Sequence, residues 1–200
     1  MSRTVSILAA IVVSLTFLSG CDDSPEEMLL EDRVFGSPDA PITIIEYASL
    51  TCGHCATFHK ATMPRLKREW LDTGRAKLIY RDFPLDNNAA TAAVIARCAP
   101  EDQYYRVLGV LFSRQSSWAE MDDPTPVLIQ IAESRGLNRQ TIEDCLDDDA
   151  LLDGVLQSRI VGQTQHGVNS TPAFVVGERV ITGAMSFRDF DALLRSMARQ

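Results

Sequence analysis

Apolar residues are distributed along this chain in three distinct patterns. Residues 5–18 form one unbroken apolar run. Short runs rich in β-branched and aromatic residues follow at 42–48 and 77–83, bounded by turn formers, and read as buried strands. Between those strands Phe58, Met63, Leu66 and Trp70 fall near one face of a helix that extends to Asp72. Pro64 should kink that helix, and Gly74 should end it as a C-terminal cap. From 87 to 167 every signal is helical. An alanine-rich helix over 87–99 stops at Pro100. The next, over 102–115, carries Tyr105, Leu108, Leu111 and Phe112 on one side. Further helices are expected over 124–134, from an Asn138 cap to 147, and over 149–165. Strand character returns after Pro172, where 173–176 and 179–181 flank Gly177-Glu178, a two-residue hairpin turn with glycine first. A last helix spans 186–199, with Ser186 and Asp189 placed as a capping box. The order is β-α-β, a helical insertion, then β-β-α, and a right-handed crossover makes the first two strands parallel.

Composition places this pattern in one globular domain. The chain has 200 residues, 46% of them hydrophobic and 23% charged, which leaves enough apolar surface for a sizeable core. Asp and Glu number 27 against 19 Lys and Arg, a formal charge of −8. An acidic chain is a poor match for nucleic acid, whose phosphates select basic surfaces. The apolar run at 5–18 is 14 residues long, short of the roughly 20 that span a bilayer. With Arg3 before it and small residues after it, it reads as a secretion signal over 1–20. Its end, Leu18-Ser19-Gly20-Cys21, resembles the lipobox of bacterial lipoproteins, in which the cysteine is lipidated. The alternative is an uncleaved anchor with an incidental cysteine. Asp22 after that cysteine favours retention at the inner membrane. The acidic segment 21–33 is then a tether, and 34–200 the working domain. Outside the cytoplasm disulfides persist, and Cys21 aside, four of the five cysteines remain.

Cys52-Gly53-His54-Cys55 lies at a strand-to-helix junction. A thiol there faces unpaired backbone N–H groups and the positive end of the helix dipole, which favour thiolate over thiol. Thiolate is the attacking species in disulfide exchange. Cys55, one turn deeper on the same face, is placed to resolve a mixed disulfide on Cys52. Gly53 permits close approach of a partner backbone, and a protonated His54 would add positive charge near Cys52.

With this dithiol, Thr43-Ile44-Ile45-Glu46-Tyr47-Ala48-Ser49, Tyr80-Arg81-Asp82-Phe83-Pro84-Leu85 and Gly167-Val168-Asn169-Ser170-Thr171-Pro172-Ala173, the chain resembles the DsbA family of thioredoxin-fold oxidoreductases over roughly 34–198. The resemblance implies an α/β thioredoxin-like fold with a helical insertion at about 87–167. It gives Cys52 the role of nucleophile and Cys55 that of resolving thiol. Thr171-Pro172 matches a cis-proline loop that presents backbone to an extended substrate. Glu46, six residues before Cys52, matches a buried acid that can shuttle a proton from Cys55; the alternative is a strand glutamate with its head in water. The Gly-His spacer departs from the Pro-His of the family's best-known oxidant and leaves the direction of electron flow open.

Some relatives carry a second disulfide, which Cys98 and Cys145 could form here; the alternative is two buried thiols. His59 is expected to pack near the dithiol and His166 to cap the last insertion helix, neither with a catalytic role. No organic cofactor or metal site is implied, the redox group being the dithiol itself. The expected activity is oxidation of thiols on exported proteins, with reoxidation by a quinone-linked membrane partner. The rivals are an envelope reductase or isomerase fed by a membrane thiol transporter, and a non-enzymatic chaperone-like lipoprotein. No dimerisation domain is evident, which favours a monomer.

Overall fold

The computed structural model describes residues 30–199. The signal segment, Cys21, Asp22 and the tether up to residue 29 lie outside the described residues. No helix among those described is long and apolar enough to cross a membrane.

A five-stranded sheet forms the centre, in the order β1 (Arg33–Phe35), β3 (Ala76–Asp82), β2 (Ile42–Ala48), β4 (Ala173–Val176), β5 (Arg179–Thr182). β2 and β3 are parallel, as the crossover requires, and the other pairs are antiparallel. Glu46, in the middle strand, sits opposite Tyr80 on one side and Phe174 on the other. Strand alternation divides the β2 side chains between two faces. Ile42, Ile44 and Ala48 join the main core, and Tyr47 joins a smaller cluster with Phe83, Val168, Ala173 and Val175.

The first helix resolves into three pieces. α1 (Gly53–Ala61) stops at Thr62, whose hydroxyl donates to the Met185 carbonyl at 2.8 Å. α2 (Met63–Leu66) restarts with Pro64 in its first turn, where the missing N–H costs nothing. A π turn over Lys67–Leu71 follows. Phe58, Met63, Leu66 and Trp70 are all buried, as their spacing predicts. The turn seats Trp70 so that Nε1 donates to Asp191 at 2.9 Å, joining this segment to the final helix, α8 (Phe187–Met197).

The insertion comprises α3 (Asn87–Arg97), α4 (Glu101–Ser113), α5 (Thr125–Glu133), α6 (Arg139–Leu146) and α7 (Asp149–His166). Two caps are those the sequence signals: Asn138 accepts from Gln140 and Thr141 N–H on α6, and Ser186, beyond the insertion, accepts from Asp189 N–H on α8. α7 is closed by Gly167 in the left-handed region at φ +64°, so the cap is this glycine and not His166. Along α7, Gly162 lies on the Tyr47 ring, where an added Cβ would stand 2.8 Å from Cε1.

One boundary and one helix face differ from the sequence reading. Arg33, assigned to the tether, is the first residue of β1 and pairs with Tyr80. Three residues are too few to show a period. On α4, Tyr104 joins Phe112 in being fully buried, whereas Tyr105 is partly exposed. Phe35 of the unanticipated β1 packs against both rings, at 4.0 Å from Tyr105 and 6.2 Å from Tyr104.

Cys98, at the end of α3, is disulfide-bonded to Cys145 of α6, with the Cα atoms 6.1 Å apart. The alternative of two free buried thiols is not what the structure shows. Closing a loop of about 48 residues stabilises by about 4 kcal/mol in the chain-entropy model. Replacing both cysteines by alanine should lower unfolding free energy by up to that amount in urea titration. A loss below about 1 kcal/mol would mean that the constraint is offset elsewhere.

Candidate active site

Cys52 ends the loop after β2 and is the N-cap of α1. Its backbone N–H is held by the Ser49 carbonyl at 3.1 Å, and its own carbonyl receives the Ala56 N–H. The cap geometry aims the first N–H groups of α1 at sulfur, and Cys55 N lies 3.4 Å from Cys52 Sγ. Across the site, the peptide bond between Thr171 and Pro172 is cis. The loop is fixed from behind by Gly183 N–H, which donates to the Pro172 carbonyl at 2.8 Å. The Cys52 thiol reaches the Thr171 carbonyl at 3.4 Å. Thr171 Oγ1 is buried with no hydrogen-bond partner of its own.

Hydrogen bonds donated to the sulfur favour the thiolate of Cys52 and lower its pKa to about 5, whereas the thiol's own bond to the Thr171 carbonyl favours the neutral form. The Cys55 side chain contributes most, opposed by partial burial. The backbone N–H groups of Cys55 and His54 act in the same direction. His54 is exposed, and its backbone N–H is among the groups that lower the Cys52 pKa. Cys55 moves the opposite way. It is fully buried, and desolvation, with Cys52 and Glu46 nearby, pushes its thiol well above the ordinary range. One sulfur is therefore reachable and acidic and the other shielded and neutral, both of them free. A Cβ at Gly53 would meet nothing within 4 Å, so the spacer faces open space, as a partner backbone needs.

Glu46 is fully buried, and its head does not reach water. Oε1 lies 2.9 Å from His59 Nε2. Sequence reasoning placed His59 near the site without seeing this pair. The available signal was the four-residue step from Cys55 to His59, which puts both on one helix face. Gln115 was also missed. Its side-chain amide donates to the carbonyls of Leu50 at 2.7 Å and Cys52 at 3.0 Å, so the insertion holds the dithiol loop in place. Thr51 donates to Asp86 at 2.7 Å, and Asp86 caps α3 through Ala89 N–H. Beside α1 an open cavity is lined by Thr57, Phe58, Ala61, Met185 and Phe187.

An acidic thiol capping a helix, a shielded second thiol one turn on and a facing cis-proline loop define a thioredoxin-fold dithiol protein. A thioredoxin family model matches residues 29–196, and the chain belongs to that family, in its DsbA-like branch. Alpha-DsbA1 of Wolbachia pipientis superposes with a TM-score of 0.78 at 28% identity, covering 88% of this chain and 96% of that one. Disulfide bond formation protein D of Bacillus subtilis is 23% identical over 173 residues, 84% of this chain and 76% of its own. A Rickettsia typhi relative, provisionally named a protein-disulfide oxidoreductase, is 25% identical over 146 residues. This alignment covers 72% of the present chain and 54% of that relative, about half its length.

Proposed function

We propose that this protein is an extracytoplasmic thiol:disulfide oxidoreductase that oxidises exported proteins through a Cys52–Cys55 disulfide. The observation that carries the reading is the division of labour between the two sulfurs, with Cys52 partly exposed at the N-cap of α1 and Cys55 fully buried. A substrate thiolate attacks Cys52, the reachable sulfur, and forms a mixed disulfide. A second substrate thiolate then displaces Cys52, which departs easily because its thiolate is stabilised. The substrate loses two electrons and two protons, and the dithiol gains them. The Thr171-Pro172 loop offers backbone to the substrate chain, and the apolar cavity beside α1 can receive its side chains. A quinone-linked membrane partner returns the dithiol to the disulfide. The apolar run 5–18 and Leu18-Ser19-Gly20-Cys21 support export and a lipid anchor at Cys21, with Asp22 favouring the inner membrane.

A depressed thiol pKa makes the reduced form the favoured one, so the disulfide is oxidising. The expected reduction potential lies well above the roughly −270 mV of thioredoxin, towards the roughly −120 mV of a strong oxidant. Equilibration with glutathione measures it, and a value at or below thioredoxin's would assign the protein to reduction instead. The sign of the linked pH effect is also set. Cys52 holds fewer protons folded than unfolded between pH 5 and the ordinary thiol value of about 8.5. The stability of the reduced protein relative to the oxidised should therefore rise with pH across that window. It should be lost as pH falls through about 5.

A further inference from the structure

Two cavities flank α1. One is the cavity lined by Phe58, Met185 and Phe187, which is largely apolar. The other, of about 370 Å³, opens at Gly53 and is lined by Thr51, Asp86, Gln115, Ser116 and Glu120. Ligand-sized clefts begin at about 300 Å³, so it has room for a long side chain and little more. Its walls come from the dithiol loop, the N-cap of α3 and the 3₁₀ turn Gln115–Ser117 that follows α4. Asp86 accepts from Thr51 Oγ1 at 2.7 Å and from the Ala89 N–H at 2.8 Å. Glu120 lies on a segment pinned on both sides of it, because Asn88 Nδ2 donates to the carbonyls of Ala119 at 3.2 Å and Met121 at 2.8 Å. The walls are therefore set before a ligand arrives, which lowers the ordering cost of binding. Asp86 and Glu120 are both exposed carboxylates, and none of the described residues lining the cavity is basic. The place of the cavity ties it to the substrate. A chain joined to Cys52 has the Thr171 carbonyl on one side, 3.4 Å from the sulfur. On the other side it crosses Gly53, where an added Cβ would meet nothing within 4 Å.

We propose that this cavity is a specificity subsite: it selects substrates with a lysine or arginine close to the reacting cysteine, and the cation faces Asp86 and Glu120. The inference rests on the oxidoreductase reading and names the substrate class of that site. An extended residue spans about 3.3–3.6 Å, so a side chain one or two residues from the cysteine enters the cavity as the chain crosses Gly53. The long stem of a lysine or arginine lies along the wall while its head stays partly hydrated between the two carboxylates. A glutamate or aspartate at the same place meets like charge. Both acids are exposed, so each acts with the modest strength of a surface charge. The selection is accordingly one of rate: attraction raises productive encounters of cationic chains and suppresses anionic ones. The apolar cavity beside α1 remains open to apolar side chains elsewhere in the same substrate.

The test mixes oxidised full-length protein with short reduced peptides, each holding one cysteine flanked on either side by Lys, Ala or Glu. The mixed disulfide on Cys52 is counted by mass after rapid acid quenching, at neutral pH and low ionic strength. A flanking charge also changes the peptide's own thiol, so the quantity compared is the Lys-to-Glu rate ratio of each variant against that of wild type. Wild type should favour the Lys peptide at one or more positions. Glu120→Gln should cut that ratio by about 1.5- to fivefold, the range for a surface charge pair. Asp86→Asn, which keeps a side chain able to cap α3, should do the same, and the double variant should lose more than either. Glu178→Gln removes an equal charge from the exposed β4–β5 turn, at the end of β4 away from Pro172, and should leave the ratio alone. If Asp86→Asn does not fold, Glu120→Gln decides. Equal rates for Lys and Glu peptides in wild type would overturn the inference alone. So would a ratio untouched in the folded cavity variants, or one lowered as much by Glu178→Gln, since the net charge of the chain would then be its source. A wild type that forms no mixed disulfide with any peptide would overturn the oxidoreductase reading, and this inference with it.

Discussion

Cys55→Ser should turn the protein into a trap. Substrate joined to Cys52 would have no resolving thiol beside it, and mixed disulfides with exported proteins should accumulate on non-reducing gels and vanish with reductant. Cys52→Ser should show no such adducts and lose dithiol exchange by more than about a thousandfold, as removal of a covalent nucleophile does. The asymmetry follows from burial: Cys52 is partly exposed and Cys55 is not exposed at all. A chaperone-like lipoprotein would keep its biological activity in Cys52→Ser. That result, or equal trapping by both variants, would contradict the assigned roles.

Arg97→Ala should have the largest effect on stability. Arg97 Nε donates to Asp82 Oδ2 at 2.8 Å, and the two side chains are 4% and 2% exposed. The guanidinium also donates to the Glu31 carbonyl at 2.9 Å and lies over the Tyr104 ring. Asp82 Oδ1 has no hydrogen-bond partner. Removing the arginine leaves a buried carboxylate without its counter-charge, at a cost of about 3–5 kcal/mol. Urea unfolding at neutral pH measures the loss. Pairing Arg97→Met with Asp82→Leu should recover most of it, because the uncompensated charge is then gone. A single-variant loss below about 1 kcal/mol would show that water reaches Asp82. The consequence extends to the site, since the chain after Asp82 returns to β2 through Phe83 N–H on the Ala48 carbonyl at 2.9 Å.

What the sequence conveyed and what it withheld divide along physical lines. β2, β3 and the β4–β5 hairpin were legible because each pairs a β-branched run with turn residues. α6 and α8 were legible because Asn138 and Ser186 sit where helix starts need them, whereas the Gly167 cap of α7 was passed over for His166. The Cys52 cap was legible for the same local reason. The π turn at Lys67–Leu71 and the break at Thr62 depend on what Trp70 and the Thr62 hydroxyl reach across the fold, at Asp191 and Met185. Gln115 clamps a loop 63 residues earlier, and no local pattern encodes that. Glu46 and His59 stood in the sequence as a candidate acid and a nearby ring. Their pairing required β2 and α1 to be laid face to face.

The most direct test of the account is titration of Cys52 in the reduced protein, followed by thiolate absorbance with alkylation rate as a check. The predicted midpoint is about 5, with alkylation level above about pH 6 and confined to one thiol. A midpoint near the 8.5 or so of a free cysteine would contradict the chemistry assigned to the site.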